Sequence, residues 1–180
     1  MPTVLTITKL GHPVLTKIAQ KVTNVKDPVI QSLIDNMKET CGAAKGLGIA
    51  APQVDESLRL ILMEPKPCLR YPDAPQMDAV VLINPTVLAV SEEIDEDWES
   101  CLSIPGFCGR VPRYKWVEVS YTNRDGEFVE CRRFEGIVAR IFQHEEDHIN
   151  GILFPDRTKP ENYLTTEEYE ERFVASSKCA

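Results

Sequence analysis

Apolar residues recur along this chain with two periods, and the period decides the element. Ile30, Leu33, Ile34, Met37 and Cys41 repeat at helical spacing. Asp27-Pro28 before them reads as an N-cap and an N1 proline, so an amphipathic helix runs from there to near Gly42. Ile137, Ile141, His144 and His148 form a second helical stripe, flanked by Val138, Phe142 and Ile149. Ala139, Gln143 and Glu146 fall on the opposite face, and Asn150-Gly151 supplies a left-handed stop. Thr165 and Glu168 read as a capping box opening a final helix that carries Tyr169 and Phe173.

Elsewhere the pattern is that of strands. Val117, Val119 and Tyr121 alternate with Glu118, Ser120 and Thr122, and Asp125-Gly126 turns the chain back into Phe128 to Phe134, a hairpin. The apolar runs Leu58 to Met63, Val80 to Ile83 and Thr86 to Val90 read as short strands, the last two separated by Asn84-Pro85. Four prolines between Glu64 and Met77 predict a loop. Ser91 to Glu99 is acidic and reads as a solvated connection, and Pro105-Gly106 and Val111-Pro112 are further loop signals. The order predicts an α+β fold over residues 1–180 as one domain, with mainly antiparallel sheets packed around a central helix and a C-terminal helix.

Composition narrows the class. The chain has 180 residues, 43% of them apolar, which suffices for one sizeable core. A net charge of −8 and a pI of about 5.0 disfavour a protein that grips nucleic acid through a basic surface, and no sequence-specific nucleic-acid partner is expected. No apolar run has the length of a membrane span, and the start, Met1-Pro2-Thr3-Val4-Leu5, shows no secretory pattern. Six cysteines (Cys41, Cys68, Cys101, Cys108, Cys131, Cys179) lie in no tight framework, so mostly free thiols in a reducing cytosol are expected.

The chemistry concentrates in the central helix. Gln143-His144-Glu145-Glu146-Asp147-His148 contains H-E-x-x-H and two of the chain's three histidines. On a helix, His144 and His148 lie one turn apart on one face and share a metal ion, with Glu145 beside them to handle the proton of a water molecule. The third histidine, His12, sits in the turn Gly11-His12-Pro13 and reads as a surface residue. Gly46-Leu47-Gly48-Ile49-Ala50-Ala51-Pro52-Gln53 imitates a dinucleotide fingerprint, but a helix precedes it where a strand is needed and Pro52 blocks the following helix. It reads as a glycine-permitted turn, or as a bare backbone edge along which an extended ligand pairs, with Gln53 at its end.

A catalytic metal site needs a third protein ligand. A histidine three residues after Gly151 would mark one peptidase class, and Phe154 stands there instead. Glu167 or Glu168 would fit a peptidase cutting internal bonds, Cys101 in Glu99-Ser100-Cys101-Leu102-Ser103 is another choice, and a structural zinc site could add Cys108 as a fourth ligand.

Three segments in order, Gly46 to Gln53, Glu99 to Ser103 and Gln143 to His148, together resemble the peptide deformylases, whose members carry G-x-G-x-A-A-x-Q, E-G-C-L-S and Q-H-E-x-D-H. The flanking Gly11 to Leu15 and Asn150 to Phe154 are similar to the family too, so the resemblance spans nearly the whole chain. Ser100 stands where the family usually has glycine. The resemblance implies Cys101, His144 and His148 as ligands of one divalent metal ion, Fe(II) in preference to Zn(II). It implies Glu145 as general base and acid, and the Gln53 amide and the Leu102 backbone N–H as oxyanion donors. It also implies a methionine pocket formed by Leu47, Leu102, Ile137 and Ile141, with Gly46, Leu47, Gly48, Ile137 and Ile141 as substrate-binding residues. The implied reaction removes formyl from an N-formylmethionyl peptide and releases formate. The implied setting is a bacterial-type cytoplasm, or a mature organellar form, with transient contact with the translating ribosome. Family members often end in a longer basic helix, whereas this tail carries Glu167, Glu168, Glu170 and Glu171. Asp147 and Arg113 are candidates for a polar network holding the helix, and Arg140 beside the apolar pocket has no account in the sequence.

Overall fold

The computed structural model describes residues 1–174; Cys179 lies outside the described residues. In chain order the elements are helix α1 (Pro28–Ala43), strands β1 (Gly48–Ala50), β2 (Leu60–Met63), β3 (Val80–Val90), β4 (Ile94–Cys101), β5 (Ile104–Tyr114), β6 (Trp116–Thr122) and β7 (Phe128–Glu135), helix α2 (Gly136–Ile149), strand β8 (Tyr163–Thr165) and helix α3 (Thr166–Tyr169), which runs on into a π turn over Glu170–Val174. β1, β2, β3, β6 and β7 form a five-stranded antiparallel sheet in the order β1-β2-β3-β6-β7, and β4, β5 and β8 form a second, three-stranded one. This is the expected α+β architecture. No helix among the described residues is long and apolar enough to cross a membrane.

The five-stranded sheet lies between α1 and α2, and its strands record that in their side chains. Ile61 and Met63 of β2 pack with Val138, Ala139, Ile141 and Phe142 of α2, while Leu60 and Leu62 pack with Leu33, Ile34, Met37 and Cys41 of α1. A strand covered on both faces has no polar side, which is why Leu60 to Met63 is unbroken hydrocarbon. A third cluster, including Leu15, Ile104, Val111 and Phe154, holds the smaller sheet. Asp27 caps α1 by accepting from the Val29 amide at 2.9 Å, as its sequence predicts.

Four expectations are corrected. The Val80 to Ile83 and Thr86 to Val90 segments are one strand with a bulge between Ile83 and Thr86. Asn84 sits there with φ +51°, and its side chain exchanges hydrogen bonds with the Val22 backbone at 2.9 and 2.8 Å, replacing the ladder that Pro85 interrupts. The acidic stretch is no loose connection, because from Ile94 onward it pairs residue by residue with β5. Pro105 and Pro112 lie within β5, which tolerates them because β8 covers only Phe107 to Gly109 of its other edge. Finally, the far side of α2 is covered: Ala139 and Gln143 are buried, and Gln143 trades two hydrogen bonds with the Tyr114 backbone of β5. The second sheet closes the face that the helical pattern assigned to solvent. Gly151 ends α2 as expected, with φ +73° and no room for a Cβ, which would come within 2.8 Å of the Thr16 backbone.

Phe142 is fully buried in α2 and stacks on Phe134 of β7. Phe142→Ala should destabilise the protein by about 3–5 kcal/mol in urea denaturation, whereas Phe128→Ala, at an exposed position of β7, should change it by under about 0.5 kcal/mol.

Candidate metal centre

α2 brings its two histidines to the end of β4. A bulge between Ser100 and Cys101 closes that strand, and the Cys101 Sγ lies 3.2 Å from His148 Nε2. Cys101, His144 and His148 place their donor atoms within 4.8 Å of one another, and they are the one such group among the described residues. The other ring nitrogen of His144, Nδ1, lies 2.9 Å from Glu99 Oε2. That contact fixes the ring and leaves Nε2 for the centre. His148 Nδ1 is buried without a partner.

The set fits a divalent cation on its chemistry. Burial favours the neutral thiol, yet His148 and His144 hold Cys101 well below its usual range. Burial likewise disfavours the imidazolium, yet Cys101 and Glu99 hold His144 well above its usual value. A divalent cation would displace the proton that Cys101 and Glu99 hold on His144, and the thiolate and two imidazoles then present are soft-to-borderline donors gathered in one buried spot.

Around the donors runs a charge network that the sequence showed only in part. Arg113 of β5 makes a two-point bond to Glu99 of β4, 2.9 Å at each nitrogen, and donates to Asp147 of α2 at 2.6 Å. Arg140 of α2 donates to the same Glu99 at 2.9 Å, to Asp95 at 3.0 Å and to the Val111 carbonyl at 2.9 Å. Arg157 reaches Asp147 from the turn after α2. Burial would raise the Glu99 carboxyl, but Arg113 and His144 bonded to it hold it far below the carboxylate range. Arg140 thus has its account: it neutralises the residue that orients His144. Glu99 and Arg157 went unassigned in the sequence. Glu99 stands in the cysteine motif but also ends an acidic run, where a buried carboxylate looks like one more solvated one.

The remaining predicted residues line the same place. Gln53 is fully buried; its carbonyl accepts from the Ala50 amide at 2.8 Å, and its amide nitrogen lies 3.6 Å from Cys101 Sγ and 3.4 Å from Ser103 Oγ. Leu102 turns between β4 and β5, its carbonyl held by Lys9 Nζ at 2.8 Å. Glu145 is buried, one of its oxygens has no partner, and burial pushes its carboxyl up to about 7 against the lowering effect of the two imidazoles. A Cβ on Gly48 would come within 2.8 Å of Glu145 Oε1 and 2.9 Å of Ile141 Cγ2, so only glycine lets β1 pass this carboxylate. Gly46, Leu47, Gly48, Gln53, Leu102, Ile137, Ile141, His144 and Glu145 all border one cavity of about 620 Å³ that opens beside Cys101. Ile137 and Ile141 belong to the core as well as to the cavity wall.

Other candidates lie elsewhere. Glu167 and Glu168 are in the first turn of α3, with Glu168 paired to Arg172, and neither joins the donor group. Cys108 directs its thiol to backbone carbonyls of Leu164 and Thr165. His12 caps a short 3-10 turn from an exposed position. Ser100 has no positive φ, so the strand does not require glycine there, and its hydroxyl takes a bond from Arg70 at 3.0 Å.

The family model described as polypeptide deformylase matches residues 4–163. Peptide deformylase 2 of Nostoc sp. is 46% identical over 178 residues, covering 98% of this chain and 99% of its own length. Peptide deformylase 1 of Bordetella pertussis is 41% identical over 153 residues, 85% of this chain and 86% of the relative. Among solved structures, the Met-Ala-Ser-bound class I type b peptide deformylase of Acinetobacter baumannii superposes with a TM-score of 0.84 at 44% identity, over 87% of this chain and 99% of that one. The peptide deformylase of Thermotoga maritima gives 0.77 at 38% identity, over 87% and 99%.

Removing Arg113 leaves two buried carboxylates short of a counter-charge. Arg113→Ala should therefore cost about 3–5 kcal/mol of stability. It should also weaken divalent-cation affinity by about 10–100-fold, as read by competition with a chelator.

Proposed function

The chain belongs to the peptide deformylase family, and on that premise we propose that it works as one catalytic domain in which Cys101, His144 and His148 hold the metal ion while Glu145, Gln53 and Leu102 act on the substrate. It is a metal-dependent hydrolase that removes the formyl group from the N-terminal formylmethionine of newly made peptides and releases formate. The observation that carries the assignment of roles is the unpartnered Glu145 oxygen, buried beside a three-donor cluster, with Cys101, His144 and Glu145 bordering one cavity.

Cys101, His144 and His148 would hold a single divalent cation, which would supply Lewis acidity towards the formyl carbonyl and lower the pKa of water to about 7 from ~15.7. Glu145 accepts a proton as the water oxygen adds to the formyl carbon. It returns that proton to the methionine nitrogen as the C–N bond breaks, and a carboxyl near neutral pKa suits both transfers. The charge that collects on the formyl oxygen meets the Gln53 amide and the Leu102 N–H. Gln53 is suited to this because the Ala50 amide anchors its carbonyl end, while its nitrogen makes only long contacts to Cys101 and Ser103. Leu47, Leu102, Ile137 and Ile141 offer the unbranched apolar pocket that a methionine side chain needs. β1 ends the larger sheet and borders the cavity, so a substrate backbone can pair along it as an added strand. The Met-Ala-Ser ligand of the Acinetobacter structure supports a peptide in this cleft. The bacterial relatives support a cytoplasmic setting, and we infer transient access there to peptides leaving the ribosome.

The metal is inferred to be ferrous iron. Thiolate and imidazole suit iron and zinc alike, so the preference follows the family resemblance.

Purified protein should release formate from formyl-Met-Ala-Ser and leave acetyl-Met-Ala-Ser and casein nearly untouched; casein cleavage without formate would favour an endopeptidase. Glu145→Ala should keep its metal, measured on the same sample, while turnover falls about 10²–10⁴-fold. Protein loaded anaerobically with Fe(II) should outpace the Zn(II) form at equal occupancy and lose activity in air as iron or Cys101 oxidises. Equal rates and equal air stability would refute the iron preference.

A further inference from the structure

The turn that carries Leu102 does not close by itself. Cys101 of β4 pairs with Ile104 of β5, so Leu102 and Ser103 alone span the gap between them. A two-residue loop between antiparallel strands normally has positive φ in its central residues, because that twist matches the strands it joins. Neither Leu102 nor Ser103 has positive φ. Contacts from outside the hairpin hold this turn instead.

They come from the chain just before the Gly11 turn. The Leu10 amide donates to the Ser103 carbonyl at 2.9 Å, and Lys9 Nζ donates to the Leu102 carbonyl at 2.8 Å. Next to them the Thr8 amide donates to the Gln53 carbonyl at 2.8 Å. Three consecutive residues thus tie together the two segments, distant in sequence, that offer Gln53 and Leu102 to the formyl oxygen. Lys9 is exposed to solvent at its outer side and borders the cavity.

The Leu102–Ser103 peptide is pinned at both ends. In a trans peptide the C=O and the N–H point in opposite directions. Here the carbonyl meets the Lys9 ammonium, and the Ser103 N–H points at Cys101 Sγ, 3.4 Å away. A positive charge on the carbonyl also polarises the amide, which strengthens the donor at its other end.

We propose that Lys9 is a positioning residue for the reaction: its ammonium fixes the Leu102–Ser103 peptide, and so aims the Leu102 N–H at the formyl oxygen and the Ser103 N–H at the Cys101 sulfur. The inference rests on the deformylase reading. It gives a role to a lysine that belongs to none of the three motifs and touches neither the donor group nor the reacting atoms.

The test compares Lys9→Met, which keeps the stem and removes the donor, with Lys9→Arg, which keeps a charged donor. On formyl-Met-Ala-Ser, Lys9→Met should lower kcat about tenfold with KM within about twofold, because a misaimed donor costs less than a deleted one, worth about 10²–10³-fold. Lys9→Arg should recover most of that loss. The second readout needs no substrate. In cobalt(II)-loaded protein the thiolate-to-metal charge-transfer band should move to longer wavelength in Lys9→Met, because a sulfur that loses an N–H partner gives up charge more easily, and return in Lys9→Arg. Thermal melts of both variants should match the unsubstituted protein, as expected for an exposed position. A change in KM alone, a loss that arginine does not relieve, or a cobalt band that stays in place would overturn the proposal. Failure of the unsubstituted protein to release formate would overturn the deformylase reading and the oxyanion half of the proposal with it, and the cobalt band would decide the sulfur half.

Discussion

Glu99 is the carboxylate on which the site turns. It accepts from Arg113 and Arg140 and faces His144, all inside the protein, and Arg113 passes the connection on to Asp147. Each of these charges alone would be costly to bury; as a closed set they satisfy one another. The set spans β4, β5 and α2. A helix packed on every side has no solvent face to fix its rotation, and apolar contacts tolerate a turn of the helix better than charge pairs do. The paired charges therefore supply the reference that keeps His144 and His148 aimed at Cys101.

Much of the fold was legible because the period of the apolar pattern follows from which faces are covered. α1, the β6–β7 hairpin and the ends of α2 are regular, one-sided elements, and their patterns are clean. The misread segments are those where partners far away in sequence override local signals. β4 looks solvated until β5 is laid beside it, and β5 looks broken by Pro105 and Pro112 until its half-free edge is seen. Ala139 and Gln143 look outward until the second sheet covers them.

The site divides in the same way. The H-E-x-x-H spacing places two donors by helix geometry alone, so His144 and His148 needed no tertiary information. Cys101 needed the family resemblance, since nothing local distinguishes it from Cys108, whose thiol turns to backbone carbonyls instead. Glu99 and Arg140 were opaque because their partners lie between 14 and 45 positions away. A charge that is buried and paired has the same letter as one in water.

β1 has a further consequence. An unpaired sheet edge that accepts a peptide would equally accept a strand from a second molecule, which is the usual route to sheet-driven aggregation. Here the edge is three residues long, sunk between α2 and the turn after Cys101, and closed at its far end by Pro52 and Gln53. An edge of that length, crowded by Leu102, Ile141 and Glu145, offers a folded neighbour too few backbone groups on which to build a sheet. The geometry that makes the cleft usable thus also keeps the protein from polymerising through it.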